Sequence, residues 1–141
     1  MSERLDQLAA YFESITEATL PQLRDFYAPD AYFKDPFNEV RDVASIAHIF
    51  AEMYVSLHGP RFIIYSRVEQ DDEAFLTWDF NFCIKKYRPG VTQTIRGSSH
   101  LKFDARGRVV YHRDYWDAAE ELYEKLPLIG GFMRFLKRRV S

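Results

Sequence analysis

The sequence has little cysteine and no long apolar run. Cys83 is the only cysteine among 141 residues, which excludes an intrachain disulfide framework and fits a reducing compartment. No segment approaches the ~20 apolar residues that a membrane span requires, and the N-terminal residues lack the apolar core of a signal peptide. We therefore expect a cytoplasmic protein without a membrane span.

An excess of charge of one sign is also lacking. The formal net charge is −2, so there is no basic field that would attract nucleic acid. The four histidines show no metal-ligand spacing, and there is no glycine-rich phosphate loop. We expect no nucleic-acid partner, no metal and no cofactor.

Aromatic residues, in contrast, are abundant. They make up 16% of the chain, with 12 Phe, 9 Tyr and 2 Trp. This number is ample for a core and also suits an apolar ligand pocket. We expect residues 1–141 to form one domain, because a chain of this length can bury roughly 68 to 70% of its unfolded surface in a single core.

The spacing of apolar residues predicts helices in the first part of the chain. Residues 5–15 and 43–57 both carry apolar side chains at intervals of three and four, and Asp42 is placed to cap the second of these helices. Between them, a short helix is predicted to end at Pro29.

Strands are predicted after this short helix. Residues 31–40 form the first strand, with Asp35 held extended by the proline that follows it. Four more strands fill residues 61–117, and residues 118–141 form a C-terminal helical extension with a basic end. This order predicts an α+β domain, with helices packed on one face of a curved antiparallel sheet.

The strongest functional signal lies in residues 95–117, which are typical of a hairpin that turns at residues 104–107. Alternation along its second strand puts His112, Asp114 and Trp116 on one face. An imidazole, a carboxylate and an indole are unusual on a face that is expected to be core. The row therefore predicts one wall of a pocket.

Two alternatives exist for the strand over residues 74–84. In the first, the row that contains Trp78, Phe80 and Phe82 packs under the helices, and Asp79 and Asn81 are solvated. In the second, the polar row faces a pocket and the aromatic row lies on the outer face of the sheet. A soluble monomer does not tolerate so large an apolar patch, so the second alternative predicts a homodimer through the outer sheet face.

The order of elements, Tyr-Phe-Lys-Asp-Pro at residues 32–36 and Gly-Arg-Val-Val-Tyr-His-Arg-Asp-Tyr-Trp-Asp at residues 107–117 resemble the nuclear transport factor 2-like superfamily and, within it, the SnoaL-like proteins. The resemblance implies a cone-shaped α+β fold whose sheet and helices enclose an apolar cavity. Because the superfamily includes isomerases, cyclases, epoxide hydrolases and non-enzymatic binders, it implies the fold more specifically than the function.

Similarity to ketosteroid isomerase implies roles for Tyr11 and Asp35. Tyr11 falls on the first-helix tyrosine that stabilises the oxyanion, and Asp35 falls on the aspartate base before a proline. The second oxyanion donor of that enzyme falls on Ser99. Its apolar last-strand residues fall on His112, Asp114 and Trp116, which implies a more polar pocket.

Limonene epoxide hydrolase has an Arg-Asp-Tyr-Phe-Asp segment that is similar to residues 113–117 here. This resemblance implies that Asp114 orients water with Asp35 as its companion. The bridging arginine and the acid aspartate of that enzyme fall on Asp79 and Asn81, so its full set of catalytic groups is not present. Both family comparisons place the polar row of residues 74–84 inward.

From these observations we expect cofactor-independent proton transfer on a small apolar or partly polar metabolite, of isomerase, cyclase or hydratase type. Asp35 or Asp114 is the expected base, because burial and a neighbouring carboxylate raise the pKa of a carboxyl group toward neutrality. His112 and Tyr11 are expected to stabilise an oxyanion. The expected substrate contacts are Trp116, Asp79, Asn81, Ser99 and Phe33. The alternative function is a non-catalytic binding or assembly module.

Overall fold

A computed structural model describes residues 2–86 and 90–123 of the chain, without the side chains of residues 122 and 123. The helices are α1 (Glu3–Ser14), a 3₁₀ helix (Glu17–Gln22), α2 (Leu23–Phe26), α3 (Val43–Ser56) and a π-helical turn (Ala119–Tyr123). The strands are β1 (Tyr27–Lys34), β2 (Glu39–Val40), β3 (Leu57–Gln70), β4 (Glu73–Ile84), β5 (Gln93–Phe103) and β6 (Val109–Tyr115).

The six strands form one sheet in the order β2-β1-β6-β5-β4-β3. All neighbouring strands are antiparallel except β1 and β6, which are parallel. The helices contribute their apolar sides to the same core cluster as the inner face of the sheet. The expected α+β class, with helices on one face of a curved sheet, is confirmed.

The two longer helices lie where the apolar spacing predicts them. The Ser2 side chain caps α1, and the apolar stripe of this helix is buried. Asp42 caps α3 as predicted, because its Oδ1 accepts a hydrogen bond from the Ser45 backbone N–H at 2.7 Å. Both helices therefore begin at a side chain that accepts from an otherwise unpaired backbone donor.

The segment between these helices differs from the prediction. The predicted helix is a 3₁₀ helix followed by the single turn of α2, since Pro21 lacks the N–H that a continuous α-helix would need. The strand predicted over residues 31–40 begins earlier and ends at Lys34. There the chain turns, and the Asp35 backbone N–H donates to the Asn38 carbonyl at 3.0 Å before the two residues of β2.

The structure decides between the two alternatives for β4. Trp78, Phe80 and Phe82 are buried against the helices, so the placement of this row on the outer face was wrong. Asp79 and Asn81 lie on the outer face, where they accept hydrogen bonds from the Tyr65 hydroxyl at 2.8 Å and the Thr94 hydroxyl at 2.7 Å. The helices in the described ranges cover one face of the sheet, and burying three large rings there outweighs any gain from burying a carboxylate and an amide.

The hairpin between β5 and β6 forms as predicted. Asp104 Oδ1 accepts from the backbone N–H groups of Arg106 and Arg108, and Gly107 has the positive φ of 79° that the turn requires. The alternation along β6 is confirmed as well, because His112 is buried while Tyr115 on the opposite face is exposed.

The chain after β6 is described as far as residue 123. Glu121 is buried and accepts hydrogen bonds from the backbone N–H and the Nε of Arg96, which attaches the π-helical turn to β5. Residues 124–141 of the predicted C-terminal extension lie outside the described residues. Within the part that is described, no helix is long and apolar enough to cross a membrane.

Gly97 on β5 permits the close approach of Trp78. A Cβ atom at this position would lie 2.7 Å from Cζ2 and 2.9 Å from Cζ3 of the indole, and closer still to Cη2. We expect Gly97→Ala to lower the free energy of unfolding by about 1 to 3 kcal/mol, because overpacking forces the ring out of its position. Urea denaturation measures this change.

The matched control is Gly90→Ala, because a Cβ atom there meets no other atom within 4 Å. An equal effect of the two substitutions would show that the packing of Trp78 on Gly97 is not the cause.

Candidate functional site

A cavity of about 130 Å³ lies among the first strand, α3 and the inner face of the sheet. Its volume is close to the roughly 150 Å³ of a cavity that binds benzene. Half of its sixteen lining residues are aromatic: Phe33, Phe37, Phe50, Phe62, Trp78, Phe80, Phe82 and Trp116. The polar lining residues are Asp35, Asn38, Glu52 and Asp114.

Asp114 is held by its neighbours on the sheet. Ser99 is its register partner on β5, and the Ser99 hydroxyl donates to Asp114 Oδ1 at 2.6 Å. His112 Nε2 lies 2.6 Å from the same oxygen. The Trp78 indole N–H in turn donates to Ser99 Oγ at 2.9 Å. Within the described part of the chain, the hydrogen bonds of Asp114 thus all involve Oδ1, which leaves Oδ2 for a ligand.

Tyr27 completes this chain of hydrogen bonds on the far side of His112. The two residues are almost fully buried, at 1% and 3% exposure, and the Tyr27 hydroxyl oxygen lies 2.6 Å from His112 Nδ1. An ionised Asp114 can only accept, so the proton of a neutral imidazole is on Nε2 and Nδ1 accepts from Tyr27. Burial, together with the charge of Asp114, raises the pKa of Tyr27 well above its usual value and keeps this donor protonated.

A second, smaller cavity of about 20 Å³ touches Ser99, His112 and Asp114. It shares Phe50, Phe62, Trp78 and Asp114 with the larger cavity. A space of this volume is sufficient for one water molecule.

Asp35 lies at the turn that follows β1 and is also part of the cavity wall. Its Oδ1 accepts from the backbone N–H groups of Phe37 at 2.8 Å and Asn38 at 2.7 Å, and the Asn38 amide donates to both carboxylate oxygens at 2.9 Å. Burial and, to a smaller extent, the charge of Asp114 raise the pKa of Asp35 to about 6, although these hydrogen bonds oppose the shift.

The structure brings six of the nine predicted site residues together at this cavity or at the hydrogen bonds behind it, namely Phe33, Asp35, Ser99, His112, Asp114 and Trp116. Asp79 and Asn81 do not, because they point away from the inner face of the sheet.

Tyr11 also lies outside the lining of both cavities. Its hydroxyl donates to the Thr19 carbonyl at 2.8 Å and its ring stacks on Phe26, so it joins α1 to the next helix. Burial raises the pKa of Tyr11 to about 12. An oxyanion role for this hydroxyl requires that it leave the Thr19 carbonyl.

Sequence reasoning missed Tyr27, Asn38 and Glu52. Tyr27 was assigned to a helix, and only the parallel pairing of β1 with β6 brings it to His112. Asn38 follows Asp35 by three residues, which is a turn signal that the sequence does contain. Glu52 lies on α3, between the cavity residues Ile49 and Met53, and carries no motif of its own.

Within residues 2–86 and 90–123, no group of three or more His, Cys, Asp or Glu side chains could hold a metal ion. The buried polar side chains at the cavity bind one another, as the hydrogen bonds of Asp114 and Asp35 show.

Solved structures of other proteins share this fold. A protein with a ketosteroid isomerase-like fold from Catenulispora acidiphila, in complex with trimethylamine, is 15% identical, with a TM-score of 0.74 over 90% of this chain and 95% of that one. A limonene epoxide hydrolase-like epoxide hydrolase from M. tuberculosis is 15% identical, with a TM-score of 0.71 over 95% and 96%. A protein from Shewanella putrefaciens that is assigned as a SnoaL-like polyketide cyclase is 19% identical, with a TM-score of 0.70 over 89% and 99%.

These likenesses confirm the nuclear transport factor 2-like fold class. The family model of the SnoaL-like domain matches residues 8–112, so the chain belongs to the SnoaL-like family. The search of curated proteins finds no match at a significant level.

We expect Asp35 to titrate with a pKa of about 6 and Asp114→Asn to lower that pKa, because the substitution removes a nearby negative charge while the burial of Asp35 stays. The ¹³Cγ chemical shift of Asp35, followed by NMR from pH 3 to pH 9, measures both values.

Asp79→Asn serves as the control, since Asp79 lies on the outer face and its loss should leave the pKa of Asp35 unchanged. A midpoint near pH 4 in the unsubstituted protein would contradict the buried environment of Asp35.

Proposed function

We propose that the protein is a cofactor-independent acid/base enzyme that transfers a proton on a small organic molecule, in a reaction of isomerase, cyclase or hydratase type. One observation carries the proposal: two carboxyl groups, Asp35 and Asp114, face one aromatic cavity, and burial raises the pKa of the first to about 6. A carboxyl group that titrates near neutrality is suited to gain and release a proton during turnover.

Asp114 is the proposed base. Its Oδ1 is fixed by Ser99 and His112, and these contacts hold the carboxylate in one orientation with Oδ2 available to take a proton. Tyr27 fixes His112 in turn and so acts as a positioning residue. Groups that are oriented before the substrate arrives need no reorganisation when charge develops.

Asp35 is the proposed acid. In its protonated form it can donate a hydrogen bond to the oxygen on which negative charge develops after proton abstraction. This assignment replaces Tyr11, whose hydroxyl is engaged by the Thr19 carbonyl. It also gives a sign for the pH dependence, because the acid form of Asp35 is lost as the pH rises through about 6.

The similar proteins support a pocket for small organic molecules. The M. tuberculosis protein is an epoxide hydrolase, the Shewanella protein is assigned as a polyketide cyclase, and the Catenulispora protein is in complex with trimethylamine. At identities of 15 to 19% these likenesses support the type of pocket and leave the reaction open.

A non-catalytic binding module is the second candidate. It is favoured by the hydrogen bonds of Asp35, whose two oxygens together accept four of them from Phe37 and Asn38. These hydrogen bonds give Asp35 a structural role in the turn, and this role does not require that Asp35 take part in a reaction.

Isomerisation of cyclohex-3-en-1-one to its conjugated isomer tests the enzyme proposal with a probe that suits the cavity volume. We expect Asp114→Asn to lower the rate by about 10²- to 10⁴-fold, the usual contribution of a positioned general base. The rate should also fall as the pH rises above about 6. Ultraviolet absorbance of the product measures the rate.

Asp79→Asn is the control, because this carboxylate is removed from the cavity. Equal rates for Asp114→Asn and the unsubstituted protein would contradict the proposed base. Saturable binding of the ketone without turnover would favour the binding module.

We also propose a homodimer that forms through the outer face of the sheet. Trp78, Phe80 and Phe82 do not contribute, since they face the helices. Other apolar side chains are exposed on the outer face instead, and burial of such a patch against a second copy would remove it from water. The exposed residues are Tyr65, Val68, Phe75 and Tyr115.

Light scattering at micromolar concentration should give twice the chain mass, and Phe75→Ser should shift the protein toward the monomer. Val55→Ser is the matched control, because Val55 is also an exposed apolar residue but lies on α3. A monomeric unsubstituted protein would refute the dimer.

A further inference from the structure

We infer that the cavity selects small organic cations, in particular protonated amines that carry a compact hydrocarbon group. The inference rests on the proposed function, because it names the substrate class of the same cavity. Three separate features of the lining point to a cation: its charge, its aromatic walls and its unused hydrogen-bond acceptors.

The charge of the lining has one sign. Asp35, Glu52 and Asp114 all line the cavity, and no Lys or Arg among the residues that the structure describes does so. His48 Nε2 lies 3.5 Å from Glu52 Oε1, and this exposed imidazole is charged only when protonated. An anionic ligand would add to this negative charge in a site of low dielectric, whereas an ammonium group would offset it.

The aromatic walls favour the same ligand. Trp78 and Trp116 lie on the cavity together with six phenylalanines. The faces of aromatic rings carry partial negative charge, and Trp attracts a cation most strongly. Phe62 meets Trp78 and Phe37 meets Trp116 in edge-on contacts, with ring centroids 5.6 Å and 5.4 Å apart. The rings thus form an apolar wall, and the partial negative charge of their faces can attract a cation.

The cavity offers hydrogen-bond acceptors to a ligand. The donors beside these acceptors already form hydrogen bonds within the protein. The Asn38 amide N–H donates to Asp35, while its carbonyl oxygen, on a side chain only 7% exposed, has no partner in the described part of the chain. Trp78 donates to Ser99, and Ser99 donates to Asp114. When Asp35 is ionised, a ligand must therefore supply the donors, and an ammonium group supplies more of them than a hydroxyl group.

Three probes with one hydrocarbon skeleton separate charge from shape: 3,3-dimethylbutylamine, 3,3-dimethylbutan-1-ol and 3,3-dimethylbutanoate. At pH 8 the amine is protonated and Asp35 is ionised. We expect the amine to bind at least about tenfold more tightly than the alcohol, and the carboxylate to bind most weakly. Isothermal titration calorimetry at physiological ionic strength measures the three dissociation constants.

Single substitutions test whether the carboxylates of the cavity cause the preference for the amine over the alcohol. Asp114→Asn and Glu52→Gln should each weaken amine binding by about tenfold and leave alcohol binding within about twofold, so the alcohol reports whether the cavity is intact. Asp79→Asn, on the outer face, should change neither affinity. Equal affinity for amine and alcohol, or selectivity that survives both cavity substitutions, would overturn the inference.

The binding test and the turnover test can fail separately. Selective amine binding without turnover of cyclohex-3-en-1-one would contradict only the proposed enzyme, because the cavity would still select a cation. Turnover of the ketone without amine selectivity would contradict only the ligand class.

Discussion

The hydrogen-bond chain from Tyr27 through His112 and Asp114 to Ser99 is the interaction on which this structure depends. It joins β1, β6 and β5, and Trp78 extends it to β4. An imidazole and a carboxylate are costly to bury unless hydrogen bonds compensate for their lost hydration, so the strands must keep the register that joins these side chains. The same register places Asp114 at the wall of the cavity.

The aromatic residues are both core and cavity wall. The packing of Trp78 illustrates this, since its ring fills the space over Gly97, its N–H binds Ser99, and its surface lines the cavity. Large rings are rigid and leave gaps when they cannot interdigitate completely, so a core rich in Phe and Trp can be stable and still hold an open pocket. The packing of the core and the shape of the cavity therefore depend on the same side chains.

The environments of the two carboxyl groups differ in a way that suits separate roles. Asp35 is enclosed by the turn formed with Phe37 and Asn38, and burial holds its pKa near 6. Asp114 is bound at one oxygen by Ser99 and His112 and lines the cavity itself. The described lining of the cavity contains both carboxyl groups and no lysine or arginine, which supports the proposals of proton transfer and of a cationic ligand.

The sequence by itself determined the α+β class, the positions of α1 and α3, the hairpin turn at Asp104 and the alternation that puts His112 and Asp114 on one face, because these depend on local periodicity and turn chemistry. Only the tertiary structure decided which face of β4 is covered, that Tyr11 is engaged elsewhere, and that Tyr27 supports His112. The reason is physical: a strand has two faces and alternation cannot tell which one the helices cover, and partners distant in sequence meet only through strand pairing.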